Sequence, residues 1–140
     1  KSYMWMSDFD RNDTLDLLLV FPQTIKQMML AMGTVDRTFQ IVNKIQSDIA
    51  LANRSQLQIL DLNNDRILDV AINNSATGTL GWYQGKGDGS FSEWKPLIHA
   101  SSIGHFAFGD LNNDGVLDLA ITLSADGVVK MYNGNFLFSR

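Results

Sequence analysis

The chain has 140 residues, 45% hydrophobic and 19% charged, with a formal charge of −4, the size and composition of one compact domain rather than a disordered tail. Its 11 Lys and Arg residues are scattered, which speaks against a phosphate-neutralising surface and a nucleic-acid partner. No apolar run reaches the ~18 residues of a membrane helix, and the absence of cysteine excludes disulfides and thiolate metal sites.

A nine-residue loop opens the chain: Asp8-Phe-Asp10-Arg-Asn12-Asp13-Thr14-Leu-Asp16. The run Leu17-Leu-Leu-Val-Phe21 follows and stops at Pro22, the length and punctuation of a buried strand. Thr24 to Met32 holds good helix formers, but its place in the repeat, matching Thr79 to Tyr83, predicts a strand. Leu57 to Leu60 is strand-like and leads into a second loop, Asp61-Leu-Asn63-Asn-Asp65-Arg66-Ile67-Leu-Asp69, then Val70-Ala-Ile72. Thr79 to Tyr83, the turn Gly85-Lys-Gly-Asp-Gly89 and a strand from Phe91 to Ile98 complete that unit. The third unit repeats the order. Ile103 to Phe108 precedes Asp110-Leu-Asn112-Asn-Asp114-Gly115-Val116-Leu-Asp118, then come Leu119 to Thr122 and Val128 to Tyr132, and Phe136 to Arg140 is left for a last strand.

The loops recur after 53 and then 49 residues. A period near 50 with four strands per unit is that of a propeller blade, which needs neighbours to bury its apolar faces. The expected fold is all-β.

Nine of the 15 acidic residues lie at positions 1, 3, 5 or 9 of these loops. Oxygen-bearing side chains at positions 1, 3, 5 and 9 suit Ca²⁺, which takes six to eight oxygens at ~2.3–2.6 Å and tolerates irregular geometry. Three such ions would change the charge from −4 to +2. A single D-x-N-x-D can be merely a turn, since Asp and Asn bond their own backbone. Three copies in register, each with a ninth-position Asp just ahead of an apolar strand, exceed what a turn needs, and unneutralised carboxylates so crowded would repel. An EF-hand requires Glu at position 12 and flanking helices. Here position 12 is Leu19, Ile72 and Ile121, which rejects it. Position 6 is the sharp turn, ideal for Gly115, tolerable for Asp13 and costing ~1–2 kcal/mol at Arg66. The third loop therefore reads as the most regular and the second as the most strained.

These segments, above all Phe108-Gly-Asp110 through Ile121 and Gly85 to Phe91, resemble the FG-GAP/VCBS repeat family, the calcium-loop blades of integrin alpha-subunit heads and many secreted proteins. The resemblance implies a β-propeller with Ca²⁺ loops joining the first two strands of each blade. Carried onto this chain, it implies as ligands Asp8, Asp10, Asn12, Thr14 and Asp16; Asp61, Asn63, Asp65, Ile67 and Asp69; and Asp110, Asn112, Asp114, Val116 and Asp118, with position 7 offering its backbone carbonyl. Blade 1 is expected at about 1–48, blade 2 at about 49–99 and an incomplete blade 3 at about 100–140. Closure takes about four to eight blades, so the segment reads as part of a larger ring, completed by further sequence rather than by a second copy. Lys1 in place of Met, without a signal-peptide pattern, fits an internal or processed segment.

The expected role is an extracellular, cell-surface or secretory-lumen binding, adhesion or structural module, since loops of ~10⁻⁴–10⁻³ M affinity would stay empty in cytosol. Its partner is expected to be a protein or glycan, or another copy through blade edges. Catalysis is not expected, because an ion saturated by protein oxygens holds no activated water. The alternative is a lectin or polysaccharide-active enzyme on the same propeller, with a non-loop acid such as Glu93 at work. Trp5, Trp82, Trp94 and Tyr83 would then form a sugar platform, but packing between blades is the expected role of such aromatics. His99 and His105 read as packing or surface residues. Asn12, Asn53 and Asn73 head N-x-S/T sequons, and a metal ligand at Asn12 could not also carry a sugar.

Overall fold

The apolar runs on either side of each loop are too short for helices, and in the computed structural model they pair as antiparallel strands. The described residues are 2–21, 27–46, 49–51 and 53–138. β1 (Tyr3–Ser7), β2 (Asp16–Phe21), β3 (Gln27–Gly33) and β4 (Phe39–Gln46) form a four-stranded meander. β5 (Leu57–Leu60), β6 (Asp69–Asn74), β7 (Thr79–Tyr83) and β8 (Lys95–His99) form a second, and β9 (Ile103–Gly109), β10 (Asp118–Leu123) and β11 (Val128–Tyr132) a third of three strands. Among the described residues the chain is thus nearly all β, in three blade-like sheets. No described helix is long and apolar enough to cross a membrane.

Side chains alternate across a strand, and burial follows that rule differently in each sheet. Along β2, Leu18 and Val20 are buried while Leu17 and Leu19 are only half-buried. Along β6, every residue from Asp69 to Asn73 is buried. The second sheet therefore lies between the other two. Leu18, Val20, Met28 and Leu30 pack against Leu57, Val70, Ile72 and Tyr83 in one core. Ala71, Leu80 and Trp82, from the opposite face of the second sheet, pack against Phe106, Leu119 and Ile121 in the other.

The segment Thr24–Met32 is extended from Gln27 onward, because Met28, Leu30 and Met32 alternate into the first core; Thr24 to Lys26 lie outside the described residues. Two expected strands are corrected. Only Lys95–His99 of the stretch Phe91 to Ile98 is a strand, and Phe91 makes an isolated bridge to Gly85. The reason is a wide turn: Lys86 N–H donates to Ser90 O at 3.0 Å and Ser92 N–H to Gln84 O at 2.9 Å, while the Phe91 ring turns back edge-on to Phe9 at 6.2 Å. Phe136 to Arg140 supplies no described fourth strand. Gly134–Leu137 forms a single helical turn, α1, started by Asn133, whose side chain accepts from Asn135 N–H at 2.9 Å. Leu137 is buried and Phe138 stacks edge-on to Trp82 at 5.7 Å, so burial holds this segment against the second sheet.

Ile72 is fully buried in the first core. Ile72→Ala is expected to lower unfolding free energy by about 2–5 kcal/mol, measured by urea denaturation, because both transfer and cavity terms are lost.

Candidate metal-binding loops

Each loop joins the first two strands of a sheet, and the same hydrogen bonds recur in all three. The first-position carboxylate accepts two backbone N–H groups. Asp8 takes Asn12 N at 3.1 Å and Asp13 N at 2.9 Å, Asp61 takes Asp65 N at 3.1 Å and Arg66 N at 2.7 Å, and Asp110 takes Asp114 N at 3.1 Å and Gly115 N at 2.9 Å. The fifth position caps the seventh: Asn12 Oδ1 accepts from Thr14 N at 2.8 Å, and Asp65 and Asp114 accept from Ile67 and Val116 N at 2.9 Å. Short oxygen-bearing side chains bonding their own backbone are what such residues do in turns.

That curl places two residues per loop in the left-handed region. Position 6 is there as expected, with φ of 66° at Asp13, 66° at Arg66 and 82° at Gly115. Position 4 is there too, with φ of 61° at Arg11, 60° at Asn64 and 61° at Asn113. Spacing alone did not reveal position 4. The Asn residues at 64 and 113, a type tolerant of this region, were the available signal.

The ninth-position Asp is buried in every repeat: Asp16 and Asp69 are 0% exposed and Asp118 4%. One oxygen accepts the second-position amide, from Phe9 at 2.7 Å, Leu62 at 2.8 Å and Leu111 at 2.9 Å. The other accepts a glycine amide from the end of the third strand or just past it, Gly33 at 2.9 Å, Gly85 at 2.8 Å and Gly134 at 2.8 Å. A Cβ on these glycines would stand 2.2, 2.1 and 2.0 Å from the carbonyl oxygens of Leu15, Leu68 and Leu117. Sequence reasoning missed them as a set. Their signal was a glycine recurring 16 or 17 residues after each ninth-position Asp.

Asp8, Asp10 and Asp16 each offer an oxygen, all within 4.8 Å of one another. Two oxygens on opposite sides of a calcium ion at ~2.4 Å are about that far apart. Thr14 adds a hydroxyl that donates to Gly33 O at 3.1 Å. In the second loop, Asn63 Nδ2 donates to Asp65 Oδ2 at 3.1 Å while the buried Asn63 Oδ1 has no hydrogen-bond partner. A buried carbonyl oxygen left bare fits a cation that it would face. In the third loop Asn112 Oδ1 accepts Asp114 N at 3.1 Å, and Asp114 Oδ2 accepts from Asn135 of α1 at 2.6 Å. A cleft of about 720 Å³ separates the second and third loops, lined by Asp61, Asn63, Gly115, Val116, Asn135 and Phe138.

Burial raises the Asp10 carboxyl above its ordinary range, and Asp16 and Asp8 add to the rise. Burial pushes Asp69 up to about 6, against the lowering effect of the Gly85 and Leu62 amides and with help from Asp65 and Asp61. Away from the loops, Trp82 and Tyr83 are buried in the two cores, and Trp5 and Trp94 pack against the first. His105 is exposed, and His99 Nδ1 lies 3.1 Å from Thr79 Oγ1. Asn73 is 1% exposed and donates to Ile103 O at 3.1 Å, which closes that sequon to a glycan in the folded chain.

Blade-like antiparallel meanders with oxygen-rich loops between first and second strands define a β-propeller-type repeat module. Residues 61–121 match the family model described as FG-GAP-like repeat. The matched stretch runs from the second loop across the second sheet and into the third. Comparison with curated proteins and with solved structures gives no match.

Two outcomes test this geometry. Gly85→Ala drives a methyl into Leu68 O and is expected to cost at least about 2–3 kcal/mol in a denaturant melt, far more than Gly109→Ala, where nothing lies within 4 Å. In chelator, the folded Asp69 carboxyl titrates near 6 against 3.8 unmodified, so the folded state holds its proton more tightly than the unfolded state. Its stabilising contribution is complete below pH 4 and lost as pH rises through about 6. Stability measured from pH 4 to 7 is expected to fall more steeply for wild type than for Asp69→Asn.

Proposed function

We propose that the chain is a calcium-binding segment of a β-propeller, serving outside the cytosol as a binding, adhesion or structural module and not as a catalyst. One observation carries this reading: three loops of one geometry gather oxygens, with Asp8, Asp10 and Asp16 mutually within 4.8 Å and a buried Asn63 Oδ1 without a hydrogen-bond partner.

Positions 1, 3, 5 and 9 of each loop would hold the ion with their side chains, and Thr14, Ile67 and Val116 with their carbonyls. Each carboxylate oxygen has more than one lone pair, so accepting an amide leaves it able to face a cation. Calcium supplies positive charge that offsets the repulsion among these carboxylates. The residues do the rest: position 1 curls the loop, position 5 fixes its exit, and position 9 ties it to the glycine at or just past the end of the third strand. Metal binding then adds to folding free energy. An affinity in the ~10⁻⁴–10⁻³ M range, as in extracellular modules, would fill the loops only at the cell surface, outside the cell or in a secretory lumen. What the module recognises is a protein or glycan met by the loops and sheet ends.

Calorimetric titration of the chain with CaCl₂ is expected to give up to three sites with Kd of roughly 10⁻⁴–10⁻³ M and a melting temperature that rises with calcium and falls back in chelator. Asp10→Asn keeps the residue type that the other two loops have at position 3 and is expected to weaken one site about tenfold without loss of fold. Absence of both binding heat and thermal shift at 10-fold above the upper Kd would overturn the assignment.

A further inference from the structure

Three sequons, Asn12-Asp-Thr14, Asn53-Arg-Ser55 and Asn73-Asn-Ser75, share one acceptor pattern, but the fold gives them different surroundings. A glycan needs an amide nitrogen that is exposed and uncommitted. Asn12 Nδ2 donates to Asp10 Oδ2 at 3.0 Å, inside a candidate metal loop. Asn73 is 1% exposed and its Nδ2 donates to Ile103 O at 3.1 Å, while the Ser75 hydroxyl is drawn away to Ala50 O at 2.9 Å. Neither nitrogen is available in the folded chain.

Asn53 differs on both counts. It is exposed, and it caps the short 3₁₀ turn Arg54–Gln56 that leads into β5. Its Oδ1 accepts from Ser55 N at 2.9 Å and from the Ser55 hydroxyl. A backbone N–H can only donate, so this pairing fixes which end of the amide is oxygen. Nδ2 is then the free end, with no acceptor among the described residues. The turn beneath it is held in place, because Arg54 Nη1 donates to Met4 O at 2.7 Å and the guanidinium lies 4.8 Å from the centre of the Trp5 ring. Asn53 therefore stands at the joint between the first and second sheets, not on the outer face of the first or third. It is also far from the second metal loop, since β5 starts at Leu57 beside this turn and ends at Leu60, where that loop begins.

We propose that Asn53 is an N-glycosylation acceptor and that Asn12 and Asn73 are not. The assignment rests on the secretory placement proposed above. The donor is an oligosaccharide carried on a lipid diphosphate. Asn53 Nδ2 attacks the anomeric carbon, an N–C bond forms as the C–O bond to the diphosphate breaks, the lipid diphosphate leaves with that electron pair, and one Nδ2 proton passes to a base of the transferase. The glycan stands at the end of the second sheet opposite its metal loop, so it leaves that loop open to calcium.

Secretion of the 140-residue chain from eukaryotic cells behind a signal peptide tests this. Protein recovered from the medium is expected to lose mass on treatment with peptide N-glycosidase, with conversion of Asn to Asp at position 53 only, located by mass spectrometry. Asn53→Gln and Ser55→Ala should each abolish the mass loss, and Ser55→Thr, which keeps the hydroxyl, should retain it. Asp36→Asn completes an N-R-T sequon with Arg37 and Thr38 in the exposed β3–β4 turn and should add a second glycan, which shows that the transferase acts on this chain. Secreted wild type that is bare at Asn53, or that carries its glycan at Asn12 or Asn73, would overturn the proposal. Protein purified from its native cells without the glycan, while the secreted chain carries it at Asn53, would support the acceptor assignment and overturn the secretory placement instead.

Discussion

A buried carboxylate held between two backbone amides is the constraint on which each repeat depends. Asp16, Asp69 and Asp118 sit at the root of their loops, and each joins two points far apart in sequence: the second loop residue and a glycine at or just past the end of the third strand. Hydrogen bonds to a charged acceptor contribute ~1.5–3 kcal/mol, and an unpaired buried carboxylate is costly. The pair of bonds is therefore obligatory once the group is buried. Asn could offer only one acceptor to two donors, and Glu would be a carbon too long. The glycine is as constrained as the acid, because its amide can reach the carboxylate only where its α-carbon touches the carbonyl of the eighth loop residue.

This arrangement gives the ninth position a second duty. The residue's spacing suggests a cation ligand, but its two oxygens already organise the polypeptide. The two roles are compatible, since an amide occupies one lone pair and leaves another. They also explain why the loops are preformed: position 1 curls the chain, position 5 caps its exit and position 9 anchors its base, all through amide bonds. A cation entering such a loop meets oxygens already gathered, most closely at Asp8, Asp10 and Asp16.

Most of the fold was readable in the residues, for definite reasons. The loop triplicate fixed the period, and apolar runs of strand length fixed the strands that follow. Thr24–Met32 was ambiguous by local preference, and its place in the repeat resolved it, because burial of Met28, Leu30 and Met32 outweighs helix propensity. Two stretches were misread. Phe91 looks like the start of a strand but belongs to a wide turn whose glycines direct it back toward Phe9. Phe136 and Leu137 look like a strand, but Asn133 starts a helical turn that Leu137 and Phe138 press against the second sheet. Both errors have one source: at sheet margins, tertiary contacts decide what local pattern leaves open. At the loops, residue types and spacing were visible, whereas the glycines at 33, 85 and 134 escaped notice because a lone glycine carries no local signature apart from its recurrence.

The burial of β6 from Asp69 to Asn73 has a consequence for where this molecule can vary. A strand with both faces covered leaves its apolar positions no room for a polar or bulky replacement and its polar ones fixed by their hydrogen bonds, so residues 69 to 73 form a frozen stripe through the middle of the chain. Diversification is pushed outward, to the turns and to the rims between sheets. Two descendants of such a module would share an almost unchanged central ribbon while differing freely in what they grip.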